Sequence, residues 1–407
     1  MHNHFDYDVI IAGGGPAGAS AAIHLATRGA RVLLAEQKKF PRAKLCGEFI
    51  SPECALHFER LGVTERMFAA RPARLTATVF YSRQGKSVSV PSSWFGAGEI
   101  ALGLSRAEMD ERLLRRAADA GACVLEDAHV AGLLREADRV CGVSVKVNGI
   151  EKQYHAPLTL DATGRTRALS RRVRTEADGS KQQRASLVAF KAHLENARGA
   201  ESECEIYFYR GGYGGLSKIE NGLSNLCFIA SARDVRACGA DPERVMWEVV
   251  CQNRRAAMAL AAARACTSWL AVSLEGFGRH SVAPASGLLA IGDAASFIDP
   301  FTGSGMLMAL ESGELAAGII AGYLGANFGG LATSELNADY RAAYRERFDS
   351  RLRACALLRR AAFVPGLAEV AIRLFGTSDR LRHRLSRATR GDIHETYSLQ
   401  KRVHNGS

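Results

Sequence analysis

Gly13, Gly15 and Gly18 lie in the spacing G-x-G-x-x-G, and Glu36 follows eighteen residues after the last of them. Each glycine serves a mechanical need, in turn a tight turn, close approach of the backbone to a pyrophosphate, and close packing of a helix on a strand. An acid at Glu36 is placed to accept from a ribose hydroxyl, which favours a ligand with no phosphate there. Two further turns end apolar runs, Asp161-Ala-Thr-Gly164 and Gly292-Asp293. Arg106 opens a helical stretch, a poor place for a cation unless an anion lies nearby. Within AKLCGEFISP, residues 43–52, Cys46 and Glu48 flank Gly47 in a segment that reads as neither helix nor strand. They are the candidate catalytic residues. Cys46 also reads as a small buried packing group, and Glu48 as a solvated loop acid; Glu48 is the sharper candidate.

The elements that must position these groups follow from periodicity. Val9, Ile10 and Ile11 form a short buried strand, and Ala21, Ala22, Leu25 and Ala26 continue at helical spacing until Gly29. Val32–Leu34 form a second strand ending at Glu36. Ser105 and Glu108 make a capping box for a helix whose apolar stripe is Met109, Leu113, Ala117 and Ala120, with Gly121 as its stop. A strand at Leu288–Ile291 leads through Gly292-Asp293 and Pro300 to a helix from about Ser304. Residues 203–210 alternate, with Cys204, Ile206 and Phe208 on one face and Glu205, Tyr207 and Tyr209 on the other. Asn221-Gly222 between Ile219 and Leu223 signals a hairpin. Residues 74–91 and 184–194 add strands of the same kind.

The 407 residues, 47% hydrophobic, suffice for a large core split into two or three domains. Ten cysteines without a C-x-x-C pair indicate a reduced, cytoplasmic setting. The acidic start MHNHFDYD is not a secretory signal. Two charge-free windows, 9–27 and 315–334, are rich in glycine, which suits turns and close packing better than a membrane span. The net charge is +11, and residues 331–407 carry fifteen Lys/Arg against eight Asp/Glu. No nucleic-acid motif accompanies that excess. Solvated helix faces explain it most simply; reversible contact with anionic lipid is a second reading. The amphipathic pattern lies within 351–389, around Pro365: Leu357, Leu358, Ala361 and Ala362, then Leu367, Val370, Ala371 and Leu374.

The three turns together resemble the FAD-dependent enzymes of the p-hydroxybenzoate hydroxylase and geranylgeranyl reductase superfamily, which includes flavin-dependent halogenases. Gly13, Gly15, Gly18 and Glu36 look like its ADP-binding motif, Asp161 to Gly164 like its middle Asp-Gly motif, and Gly292, Asp293, Pro300, Gly303 and Gly305 like its ribityl- and flavin-binding motif. The resemblance implies an α/β fold: a discontinuous Rossmann-like FAD domain (1–74, 101–183 and 281–330), an α+β substrate domain built on a sheet (75–100 and 184–280), and a C-terminal helical region (331–407). It assigns Pro16, Ala17, Gln37, Arg42, Arg106, Ser304 and Met306 to the cofactor as well, Arg106 against the phosphates. It sends the Cys46–Glu48 loop toward the isoalloxazine, with Gly47 admitting the ring. Asp293 would bond the ribitol. The helix from Ser304 would face the flavin edge that gains charge on reduction, worth about 1–2 kcal/mol. At about 30 mV per 1.4 kcal/mol that is only a few tens of millivolts, so the substrate pocket must direct the chemistry.

Tyr207, Tyr209 and Tyr213 are the candidate substrate contacts, in a sheet forming one wall of an apolar pocket. Among reactions of the superfamily, hydroxylation of a hydrophobic or aromatic small molecule through a flavin C4a-hydroperoxide is the leading expectation. Geranylgeranyl-reductase-like reduction of a carbon–carbon double bond is the alternative, supported by the Cys46-Gly47 pair, although Glu48 departs from the usual glycine of those reductases. Halogenation is disfavoured, because Trp94, Trp247 and Trp269 stand alone and no W-x-W-x-I-P segment is present. A noncatalytic electron-transfer flavoprotein is the reading from another class. With one dinucleotide fingerprint, the flavin would receive electrons from transiently bound NAD(P)H or from a partner reductase.

Overall fold

Apolar runs ending in glycine turns lie side by side in the computed structural model, which describes residues 5–95, 100–173, 186–324 and 330–362 with 372, 380 and 383. Five parallel strands occur in the order Leu288–Ala290, Leu158–Asp161, Val9–Ala12, Val32–Ala35, Cys123–Leu125. Their register aligns Ala12 with Asp161 and Ala35, and Asp161 with Ala290. The three separated turns therefore leave the sheet along one edge, at the carboxyl ends of the strands, where ligands of open α/β sheets bind.

The sheet is covered on both faces, which is why its strands read as unbroken apolar runs. Val9 and Ile11 pack against the helices Pro16–Ala26, Arg106–Asp119 and Gly305–Ala321. Ile10 and Ala12 pack against an antiparallel sheet formed by Ala128–Glu136, Arg139–Val147 and Ile150–His155. Ser105 caps its helix as expected, accepting the Glu108 N–H at 3.2 Å. The reciprocal half of the box is replaced, because the Ser105 N–H donates to Glu220 at 2.9 Å.

A second sheet of eight strands carries Ala77–Tyr81, Ser87–Pro91, Leu187–Glu195, Glu203–Tyr209, Gly212–Lys218, Ser224–Ser231, Arg264–Ala265 and Leu270–Leu274. The Asn221-Gly222 turn joins two of these strands, with both residues in left-handed backbone (φ +59° and +72°). A short three-stranded sheet of Phe49–Ile50, Ala73–Leu75 and Ala101–Gly103 ties the Cys46–Glu48 loop to the helix that Arg106 opens.

The C-terminal helix is one piece, Gly330–Ala362, and its buried stripe differs from the expected one. Leu336, Tyr340, Tyr344, Phe348 and Cys355 are buried, whereas Leu357 is 65% exposed. The stripe begins earlier because this helix docks on Gly305–Ala321 through Glu311, which receives Arg351 at 2.6 Å and Arg347 at 3.0 Å. The continuation expected at Leu367, Val370, Ala371 and Leu374 lies outside the described residues.

Candidate functional site

The nucleotide end is shaped by contacts that leave no room for side chains. A Cβ at Gly18 would lie 1.9 Å from the Gly13 carbonyl oxygen, and one at Gly13 would lie 2.4 Å from the carbonyl oxygen of Ala162. The first and second motifs are thus in direct backbone contact. Glu36 is buried and lines the cavity; it accepts the Gly14 N–H at 2.8 Å and the Lys38 N–H at 3.0 Å. Arg106 grips Asp110 with two bonds of 2.7 Å, and Arg42 lies 3.2 Å from the same carboxylate. Both guanidinium groups stand 3.8–3.9 Å from where a Gly15 side chain would begin. Burial opposes the Arg106 charge, but Asp110 more than offsets this and raises its pKa. Two fixed cations over a glycine turn at a helix N-terminus suit a pyrophosphate.

Asp161 does not reach the cavity. One oxygen accepts from Thr163 N and Oγ1 at 3.1 and 2.6 Å, the other from Ser170 N and Oγ at 2.8 and 2.6 Å. Its carboxylate is taken up in shaping the turn, which corrects its assignment as a cofactor ligand. Ala162, Thr163 and Gly164 line the cavity in its place. Ser304 is also buried behind the wall, bonded to Thr302 at 3.0 Å, and contributes only as the residue before the helix. Asp293 does line the cavity. Burial raises its pKa, while Arg165, Arg106 and Lys44 oppose the rise. Pro300, Gly303, Gly305 and Met306 continue the wall, as do Gly15, Pro16, Ala17, Gln37 and Gly292.

The Cys46–Glu48 loop lines the cavity between these ends. A Cβ at Gly47 would meet nothing within 4 Å, so protein packing does not explain that glycine. Glu48 is fully buried, its carboxylate held by Lys191, by His193 at 2.7 Å and by the Arg106 N–H at 2.8 Å. Burial opposes its charge, yet His193 and Lys191 more than compensate and hold its pKa below the ordinary carboxylate value. So committed an ion is an anchor, which corrects its assignment as a candidate catalytic residue. Cys46 keeps its place at the cavity, its sulfur accepting the Glu48 N–H at 3.4 Å.

The cavity encloses about 820 Å³ and runs from the glycine turn to the eight-stranded sheet. On the sheet it is walled by Cys204, Ile206 and Phe208, the apolar face of the alternating strand, with Phe80, Val88, Val90, Ala189, Ile229 and Leu274. Tyr207 and Tyr209 face the opposite way and are not ligand contacts. The Tyr207 hydroxyl donates to Glu205 at 2.5 Å and that of Tyr209 to the Ile229 carbonyl at 3.0 Å, within the core under the helices Pro242–Glu248 and Arg254–Leu260. Tyr213 does line the cavity, with its hydroxyl donating to Asp299. Sequence reasoning missed Lys44, His129, Arg165, Lys191 and His193. A Lys and a His inside the strand Leu187–Glu195, apolar but for its terminal glutamate, were the available signal for the last two.

Close-packed glycine turns, paired cations and the carboxylate of Asp293 together make a cavity suited to a dinucleotide. Residues 6–347 match the family model described as FAD binding domain, and the chain belongs to that family. It is 27% identical to the menaquinone reductase of Mycolicibacterium smegmatis over 76% of this chain and 75% of that protein. It is equally 27% identical to the digeranylgeranylglycerophospholipid reductase of Methanocella arvoryzae, over 84% and 85%. The solved flavin-dependent brominase Bmp2 shares the fold, with a TM-score of 0.75 at 20% identity over 98% of this chain and 99% of that one. The protein is an FAD-dependent oxidoreductase.

Proposed function

We propose that this oxidoreductase reduces a carbon–carbon double bond in a lipophilic substrate. The observation that carries the reading is the far end of the cavity, a chamber of apolar and aromatic side chains continuous with the turns that hold FAD. When bound there, FAD supplies a two-electron transfer to carbon. The protein's part is to admit a hydrocarbon, exclude water and hold the reacting carbon against the ring. Phe80, Phe208 and Phe301 pack with centroids 5.6–6.4 Å apart, a rigid surface for an apolar chain or ring. In this reading Cys46, which lines the same cavity, hands a proton to the second carbon. Resemblance to proteins named menaquinone reductase and digeranylgeranylglycerophospholipid reductase supports this ordering over hydroxylation.

Hydroxylation is the second reading, favoured by the same dry wall, since exclusion of water protects an oxygen-activating flavin site from side reactions. One comparison separates the two. Incubation of reduced protein with a polyprenyl lipid in the absence of O₂ should yield product carrying two more hydrogens. Product formed only with O₂, and carrying labelled oxygen, would replace reduction by hydroxylation.

NAD(P)H or a partner reductase belongs to the proposal as electron source; rapid flavin bleaching by NAD(P)H alone would favour the first. Among the described residues no helix is long and apolar enough to cross a membrane. Collection of substrate at a lipid surface through Arg345, Arg353 and Arg360, all exposed on the helix Gly330–Ala362, completes the reading. Co-sedimentation with anionic vesicles at low salt tests it, and absence of binding would remove it.

A further inference from the structure

The loop beside the flavin is tied down by charges that none of the nucleotide motifs contains. Glu48 has left-handed backbone, φ +53°, although it carries a Cβ, and it is fully buried. Its carboxylate collects three donors from two other parts of the chain. The Arg106 N–H, 2.8 Å away, belongs to the start of the helix that faces the glycine turn. Lys191 and His193 belong to the strand Leu187–Glu195 of the eight-stranded sheet, whose same inward face supplies Ala189 to the cavity. Lys191 is 3% exposed and also donates to the Lys44 carbonyl at 3.4 Å.

Backbone strain and a buried ion pair are two costs at one loop position. A buried ion pair is weak evidence for stability, since well-packed apolar residues often replace such pairs without loss. Strain and buried charge persist together where a functional geometry is being held.

We propose that Lys191 is a positioning residue: acting through Glu48, with His193 as second contact, it fixes the Cys46–Gly47 segment against the flavin and sets its distance from the sheet that walls the substrate chamber. Substrate wall and cofactor loop then move as one body. The inference rests on FAD occupying the cavity, not on the choice between reduction and hydroxylation.

The test uses FAD-loaded protein carrying Lys191→Met, Lys191→Arg or Glu48→Gln. For each, the FAD dissociation constant, the visible absorption band of the bound flavin and Tm are measured. Lys191→Met is expected to weaken FAD at least tenfold and shift the band, and Lys191→Arg to restore most of both. A Lys191→Met protein with lowered Tm but wild-type band and affinity would make the pair a structural buttress and overturn the proposal. Should that variant not fold, Glu48→Gln, which removes the charge but keeps a hydrogen-bonding side chain, decides: a wild-type band and affinity there would overturn it equally. A wild-type protein that takes up no FAD would instead refute the cofactor assignment itself.

Discussion

Asp293 lines the cavity, and the charges of Arg165, Arg106 and Lys44 act on its carboxylate. A carboxylate accepting from bound hydroxyls makes charge-assisted bonds, so Asp293→Ala should weaken FAD about 10- to 100-fold. Equilibrium dialysis against FAD measures this; full occupancy and unchanged redox behaviour would remove the role. The motifs of the family resemblance pointed to Asp293 and Gly47, and both line the cavity. They did not make Glu48's role legible. Its partners Lys191 and His193 are 143 and 145 residues away, and nothing local says that a loop acid will meet a strand from another sheet. Asp161 misled for the opposite reason: its partners Thr163 and Ser170 are so near that they satisfy it completely.

At the scale of elements, the helix Pro16–Ala26 meets the helix Gly305–Ala321 at Gly313. A Cβ there would fall 2.4 Å from the Ala17 carbonyl oxygen. Gly313→Val should force the two helices apart at a cost of about 1–3 kcal/mol or more, lowering Tm and weakening FAD together, since both helices start at the cavity. Thermal melts with and without FAD check it; an unchanged Tm would show that the contact relaxes freely. The strands, glycine turns and hairpin were readable because period and turn chemistry are local. Gly313 was not, since a lone glycine inside a helical run reads only as a weak point. Alternation in Glu203–Tyr209 gave both faces correctly but not which of them a helical layer covers. Tyr207 and Tyr209 went to the helix side because their hydroxyls find Glu205 and the Ile229 carbonyl there.

For the whole molecule, buried His24 and half-buried Glu314 are two of the groups that make stability fall in acid. Burial is the main force pushing the His24 imidazole down to about 4, with nearby Glu314 opposing it. The unfolded chain therefore takes up that proton first, near the ordinary value of about 6.5. Stability is full above that value and is lost as pH falls from there to about 4, by on the order of 3 kcal/mol. Burial opposes ionisation of Glu314, but the His57 hydrogen bond and Arg60 prevail and hold it at about 2. Its contribution is present above the ordinary carboxylate value and lost between there and about 2. His24→Gln should flatten the decline of Tm between pH 6.5 and about 4 and leave the steeper fall below it. An identical profile would exclude His24 as the acid-sensitive group. Sequence could not show this, because both groups depend on three helices converging.

One cavity joins the FAD turns to a hydrocarbon chamber, and the proposed activity requires electrons to pass through it to a lipid alkene. The direct measurement is a single turnover: fully reduced protein, free of O₂, is mixed with one equivalent of a polyprenyl lipid while the flavin absorbance is followed. Reduction of the alkene predicts return of the oxidised band together with loss of one double bond. A flavin that stays reduced with every such lipid, and regains its band only when O₂ is admitted, would contradict it.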